Sequence, residues 1–318
     1  TGGGPGALNA LDYDSRTLTT SVRNEWPNLD STRSTDVESY NILHTVMEGL
    51  LRYDVNGNLE PGVAERWEIE GRRATFWLRS DSVWSDGQPV TAHDFVFAWR
   101  KAVEPANASQ YAFLIYPVMN AAAINRGEMP PETLGVRAAG DRVLEVELEN
   151  PIAYFHKLVA AQTYYPIRED FYRSRQGRYG ADAADMLYNG AFRIASWVHG
   201  ASMRLEKNPL YWERDAIWLN TINFAYITPD AVARLNLFQD GRVADVDYLP
   251  GEALDQALQQ RWPLRRFNDG SMWYLEQNFR PGHVTAAVPS LTSRRRDNVR
   301  AQRPCRSMTE NTSSRISS

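Results

Sequence analysis

The sequence predicts a mixed α/β protein with inserted hairpins, and three patterns predict it. Apolar residues recur at helical spacing in some segments and alternate strictly in others, and the two kinds follow one another irregularly. Turn chemistry such as Asn56-Gly57 and Asp86-Gly87 punctuates the strand-like segments. The balance of 43% hydrophobic and 23% charged residues is that of a globular chain. At 318 residues it can remove roughly three quarters of its unfolded surface from water, as a rule in two domains.

Taken in order, Leu18 to Val22 is a short strand, followed by the polar stretch Asn28 to Asp36. Tyr40, Leu43, His44, Met47 and Leu51 then share helical spacing, with Gly49 placed to end the helix. His44 reads as a core or boundary histidine, because no His or carboxylate partner is spaced to join it at a metal. Val55-Asn56-Gly57-Asn58 is a hairpin turn, Ala74 to Leu78 a strand, and Trp84 to Pro89 a dense turn. Thr91-x-x-Asp94 forms a capping box ahead of the stripe Phe95, Ala98, Trp99, Ala102, Val103. Val143 to Glu149 alternates, so its three glutamates line one solvated strand face. Tyr154, Leu158 and Ala161 predict a helix after Pro151. Ala191–Ser196 and Ser202–Lys207 are strands around a turn at His199-Gly200, and Thr221–Ile227 is another. Ala231–Phe238 is a helix ended by Gly241, Val243–Tyr248 a strand, and Leu254–Leu258 a helix.

Several function classes are excluded or demoted. No apolar run approaches the ~18 residues of a membrane span. Cys305 is the only cysteine, which rules out internal disulfides and thiolate zinc clusters. No Gly-x-Ser-x-Gly elbow, His-Glu-x-x-His, Walker loop or Cys-x-x-Cys is present. The five histidines (44, 93, 156, 199 and 283) have no metal-ligand spacing, and Asp81 and Asp86 read as turn residues. No catalytic set, metal or cofactor is therefore expected. Ten Trp and 15 Tyr, many in loops, offer large faces with one polar atom for packing or for enclosing a polar ligand.

The ends differ from the body. Residues 1–17 begin Thr1-Gly2-Gly3-Gly4-Pro5-Gly6 and read as a flexible leader; the near-match Gly2-x-Gly4-x-x-Ala7 to a dinucleotide fingerprint lacks its strand and helix. Residues 287–318 carry seven Arg against one Asp and one Glu, leaving the body with 28 basic and 37 acidic residues. Residues 286–318 show no apolar period and are expected to be disordered. Nucleic-acid or anionic-lipid binding by this basic arm ranks below a solvated charge run, and nucleic acid is not an expected partner. Re-read two bases out of frame under one permitted codon set, Arg306–Ser318 becomes an amphipathic pattern, so the tail is expected to be a frameshift product of a longer protein.

Five ordered motifs carry a resemblance. They are Glu48-Gly49-Leu50, Pro61 to Trp67 (PGVAERW), Trp84 to Phe95 (WSDGQPVTAHDF), Asn189-Gly190-Ala191-Phe192, and Glu206-Lys207-Asn208-Pro209-x-Tyr211-Trp212. Gly241-x-x-x-Asp245 continues the series. Over residues 18 to 284 the chain resembles the solute-binding proteins of the peptide/nickel class that serve ABC importers, within them the oligopeptide-binding branch.

The resemblance implies a periplasmic binding protein type II-like fold of mixed sheets, a two-lobed clamshell closing on its ligand. It implies a first lobe from 18–47 and 189–270, an inserted subdomain from 48–188, and the start of a second lobe at 271–285. Most of that lobe would be missing, so this chain is expected to bind peptide weakly or not at all. The implied ligand is an extended oligopeptide held by backbone hydrogen bonds, with side chains in hydrated pockets. Implied contacts are Val37 in an early loop (with Thr35 where an acidic residue is common), Tyr111, Tyr248, and Ser271, Trp273, Tyr274, Glu276 and Asn278 on the first crossing strand. The implied partner is a membrane permease. The protein would be a periplasmic or extracellular monomer, membrane-anchored before processing where a lipid anchor precedes Thr1. Competing readings are a relative tuned to dipeptides, nickel chelates or oligosaccharides, a hydrolase, and a chaperone-like binder of unfolded chains.

Overall fold

Among the described residues three β-sheets organise the fold, and one of them takes strands from residues 11–22 and 192–227. The structure is a computed structural model that describes residues 10–246, 249, 251–262 and 264. The chain divides into two compact units, residues 1–264 and 265–318, and the description below is of the first.

β1 (Leu11–Asp12) and β2 (Thr17–Val22) form a small hairpin whose turn is held by Asp12, which accepts from Asp14 N at 2.9 Å and Ser15 Oγ at 2.7 Å. Residues 11–17 therefore belong to this hairpin of the sheet and not to the flexible leader expected over 1–17. α1 (Val37–Val46) follows, capped by Asp36, whose carboxylate accepts from Ser39 N at 2.8 Å. Its buried residues are Ser39, Ile42, Leu43 and Val46, which corrects the expected stripe. Tyr40 is exposed and Leu51 belongs to the next strand. Nor does Gly49 end the helix: Met47 caps it in extended conformation, because Glu48 leaves to pair with Asn189. Gly49 instead admits the Tyr165 ring, which a Cβ would meet at 2.8 Å.

β3 (Leu51–Tyr53) and β4 (Leu59–Pro61) pair around Asn56-Gly57, where Gly57 takes φ 81° and Asp54 accepts from Asn56 N and Asn58 N. β5 (Ala64–Glu70) and β6 (Arg73–Leu78) start the second sheet. β5 has no counterpart in the strand pattern read above, although Trp67 and Ile69 alternate with charge. α2 (Ala92–Val103) begins at the capping box, with Thr91 N donating to Asp94 at 2.8 Å. Its apolar stripe is fully buried, and Trp99 stands edge-on to Tyr164, 4.9 Å between centroids. α3 (Ala121–Asn125), β7 (Val136–Ala138) and β8 (Val143–Glu147) complete an antiparallel sheet in the order β5-β6-β8-β7. The alternation in β8 works as expected: Leu144 and Val146 are buried, and the glutamates lie outside.

The helix expected after Pro151 is a single turn, α4 (Phe155–Leu158), followed by a tight 3-10 turn at Gln162–Tyr164. Tertiary bonds outcompete continuation here, since the Tyr164 carbonyl accepts from Trp99 Nε1 at 2.9 Å. After α5 (Glu169–Ser174), the chain returns as β9 (Phe192–Val198), β10 (Ser202–Lys207) and β11 (Thr221–Ile227). These join the first hairpin in the order β1-β2-β11-β10-β9, with only β2 and β11 parallel. Bulges reset the alternation twice. In β9 the register shift puts Phe192, Ile194 and then Trp197 into the core. In β11 Ile222, Phe224 and then Ile227 face the main core, while Tyr226 faces a second, smaller one.

That smaller core lies under α6 (Ala231–Gln239) and α7 (Gly251–Gln259), with Phe238 against Trp262 at 5.3 Å. The strand expected over Val243–Tyr248 does not form within Val243–Val246. Ala244 N instead donates a single bond to Thr19 O at 2.9 Å, and Thr20 Oγ1 donates to Asp245 at 2.5 Å, so the segment is tacked onto β2. The main core is continuous from Trp26 and Leu43 through Phe76, Trp99 and Tyr164 to Leu205. The five-stranded sheet and the elements inserted between β2 and β9 therefore share one apolar interior.

Candidate ligand-contacting surface

The most tightly built surface feature is the loop that leads into α1. Asp30 is 2% exposed, and its Oδ1 accepts from Thr32 N at 2.9 Å and Thr32 Oγ1 at 2.7 Å. Burial pushes its carboxyl upward, with Thr32, Arg33 and Lys101 opposing. Leu29 N donates to Gly180 O at 2.9 Å, and Gly180 has φ +78°. A Cβ there would lie 2.4 Å from Asp30 N, so only glycine fits. Asn107 donates to Thr32 Oγ1 at 3.0 Å and Gln162 to Ser34 O at 2.9 Å. Three distant segments thus hold the loop.

That frame delivers Val37 as the first residue of α1, 69% exposed. Tyr111 reaches the same place, its hydroxyl donating to Thr35 O at 3.4 Å. Of the expected contact residues, the structure describes Val37 and Tyr111, the latter linked to Thr35 two residues before Val37. Tyr248, Ser271, Trp273, Tyr274, Glu276 and Asn278 lie outside the described residues. Tyr40 and His44 continue the outer face of α1 from Val37, their rings 4.1 Å apart. His44 Nδ1 meets the Tyr165 hydroxyl at 2.5 Å, and burial lowers the imidazole pKa to about 4, so it is neutral near pH 7. It is a boundary histidine, as its spacing implied.

A second polar centre was not legible as such in the sequence. Glu48 is 4% exposed and accepts from Tyr211 Oη at 2.6 Å, Trp212 Nε1 at 2.8 Å and Arg52 at 3.2 Å. Burial raises its pKa, and Tyr211, Trp212, Arg52 and Arg79 pull it down. Arg52 also pairs with Glu60 at 2.8 Å and Glu213 at 2.7 Å, and Arg79 lies 3.1 Å over the Trp212 ring. Asn189 closes the junction, accepting from Glu48 N at 3.0 Å and donating to Glu48 O at 2.9 Å. The residues spelled Glu48-Gly49-Leu50, Asn189-Gly190 and Tyr211-Trp212 are therefore a fastening. They tie the chain leaving α1 to the chain entering β9.

Elsewhere the carboxylates read as turns do what turns do. Asp81 pairs with Arg79 and Asp86 with Arg168. Among the described residues no group of three or more His, Cys, Asp or Glu is placed to hold a metal ion. Also among them, no helix is long and apolar enough to cross a membrane. What the surface by α1 can do chemically is present aromatic and aliphatic faces on a rigid backbone.

The fold is the mixed α/β fold of periplasmic solute-binding proteins. The chain belongs to the bacterial extracellular solute-binding proteins of family 5, whose middle region matches residues 58–297. It is 35% identical to the oligopeptide-binding protein OppA of Bacillus subtilis over 262 residues, 79% of this chain and 48% of that protein. Among solved structures it is similar to the substrate-binding domain of an oligopeptide ABC transporter from Bacillus anthracis (TM-score 0.74, 38% identity, covering 78% of this chain and 48% of that one). It is also similar to Listeria monocytogenes OppA bound to peptide (TM-score 0.74, 32% identity, 78% and 49%). The chain spans about half the length of the curated relatives it matches.

Proposed function

We propose that this chain supplies the peptide-contacting lobe of an extracytoplasmic receptor that captures oligopeptides for an ABC importer. It acts by binding, without catalysis, as a monomer handing its ligand to a membrane permease. The observation that carries the reading is the loop beside Tyr111, held by hydrogen bonds from three distant segments, which exposes Val37. A rigid edge of this kind serves a ligand recognised by its main chain, because main-chain atoms are common to all peptides. In this reading 18–47 and 189–270 form the ligand-binding lobe and 48–188 an insertion packed on it. The five-stranded sheet, built from residues 11–22 and 192–227, supports that division. Val37, Tyr111, Tyr248, Ser271, Trp273, Tyr274, Glu276 and Asn278 are the assigned contacts.

Saturation-transfer NMR with a mixed pool of short peptides, run beside oligosaccharides and a nickel chelate, tests the reading. Weak but saturable contact with intact peptides alone is expected, as for one lobe without its opposing half. Preference for a sugar or chelate, or cleavage of the peptides, would contradict it.

A further inference from the structure

The surface beside Tyr111 carries a residue that neither the sequence motifs nor the relatives single out. Phe113 is 53% exposed, although the turn that bears it is fixed. Its neighbours Ala112 and Ile115 are buried, and the Leu114 carbonyl accepts from the Tyr164 hydroxyl at 2.5 Å. With positions on both sides anchored, the Phe113 ring cannot turn into the core. It stands edge-on to Tyr111, 5.9 Å between centroids at 78°. Tyr111 in turn is tied to Thr35, two residues before Val37. Phe113 and Tyr111 thus form an aromatic pair, joined through the Tyr111 hydroxyl to the loop that exposes Val37 two residues on.

Resting on the peptide reading above, we infer that Phe113 sets side-chain specificity: it packs against one aromatic or large aliphatic side chain of the bound peptide. The physical reason is complementarity of environment. A lone exposed ring on a mobile loop needs no explanation. A ring held out by a locked turn, already offering its free face next to the ligand edge, gains on covering by an apolar group. Main-chain hydrogen bonds contribute affinity for any peptide; Phe113 discriminates among them.

The experiment measures saturation-transfer binding of the full chain to tetra-alanine and to the four tetrapeptides with a single Phe. One Phe position is expected to bind about tenfold tighter than tetra-alanine, the increment of an aromatic pair. Phe113→Ala should reduce that preference to about twofold or less and leave tetra-alanine unchanged, and Phe113→Leu should fall between. Thermal melts confirm that both variants fold, as an exposed position allows. A Phe preference that survives Phe113→Ala, or no preference in the parent, overturns the inference and leaves the peptide reading standing. Failure of every peptide to bind overturns that reading, and the inference with it.

Discussion

Glu48 and Asp30 each bury a carboxylate, and they do so for different ends. Glu48 is met by donors from three separate stretches of chain: Arg52 and the neighbouring pair Tyr211 and Trp212 on its carboxylate, and Asn189 on its backbone carbonyl. Asp30 takes its hydrogen bonds from Thr32, two residues away. The first arrangement joins distant segments; the second sculpts one loop, which other side chains then hold from outside. Stability and ligand geometry should therefore separate on mutation. Damage at Glu48 unfastens the lobe, and damage at Asp30 blurs the edge that carries Val37 and Tyr111.

The largest effect is expected for Glu48→Ala, which leaves the Tyr211 phenol and the Trp212 indole N–H without their acceptor and removes one of the three carboxylates that pair with Arg52. About 3 to 5 kcal/mol of urea-denaturation stability should be lost. A loss below 1 kcal/mol would show that the cluster is not a fastening. Next comes Gly180→Ala, where a Cβ would collide with the Asp30 backbone at a positive φ; a cost of about 1 to 3 kcal/mol is expected. Asp30→Ala should cost about the same or less, around 1 to 3 kcal/mol. Its diagnostic is hydrogen exchange: faster exchange confined to residues 28–37 and 109–115 sharpens the contrast with Glu48, and lobe-wide acceleration breaks it.

The smallest effect is a pair of opposed pH slopes. Burial raises the Asp94 carboxyl from 3.8 to about 6, against the bonds from Thr91 and Trp84. Between those values the folded state holds a proton the unfolded chain has lost. Stability from this group therefore grows as pH falls from about 6 to about 4. Burial lowers His44 from 6.5 to about 4, so here the unfolded chain takes the proton first. That contribution is complete above about 6.5 and is lost as pH falls toward 4. Asp94→Asn should make stability fall more steeply with acid and His44→Gln less steeply, each by up to about 1.4 kcal/mol per pH unit. Unchanged slopes in both variants would contradict the burial account.

What the sequence disclosed follows the same local-versus-distant line. α2 was legible because its capping box and apolar stripe lie within thirteen residues of one another, Thr91 to Val103. β11 was legible in full, whereas β9 was read short because its bulge interrupts the alternation before Trp197. α1 was read correctly at Leu43 and Met47, which are buried, and wrongly at Tyr40, which is exposed, and Leu51, which belongs to the next strand. Glu48 appeared only as part of a motif, because its partners stand 141 to 164 residues away. Val37 and Tyr111 came from resemblance, and nothing in either segment alone announces that a hydroxyl joins them. Phe113 could not be picked out at all: its exposure is a property of the anchored turn, not of its neighbours in sequence.

The central claim is that the pinned edge by α1 touches an extended peptide. Photo-crosslinking of the full chain with a short peptide carrying a benzophenone side chain, followed by mass-spectrometric mapping, reads this directly. Adducts within residues 35–40 and 109–115 are predicted, reduced by excess unlabelled peptide. Competable adducts elsewhere, as along the charged outer face of β6, β7 and β8, with none at that edge would contradict the account.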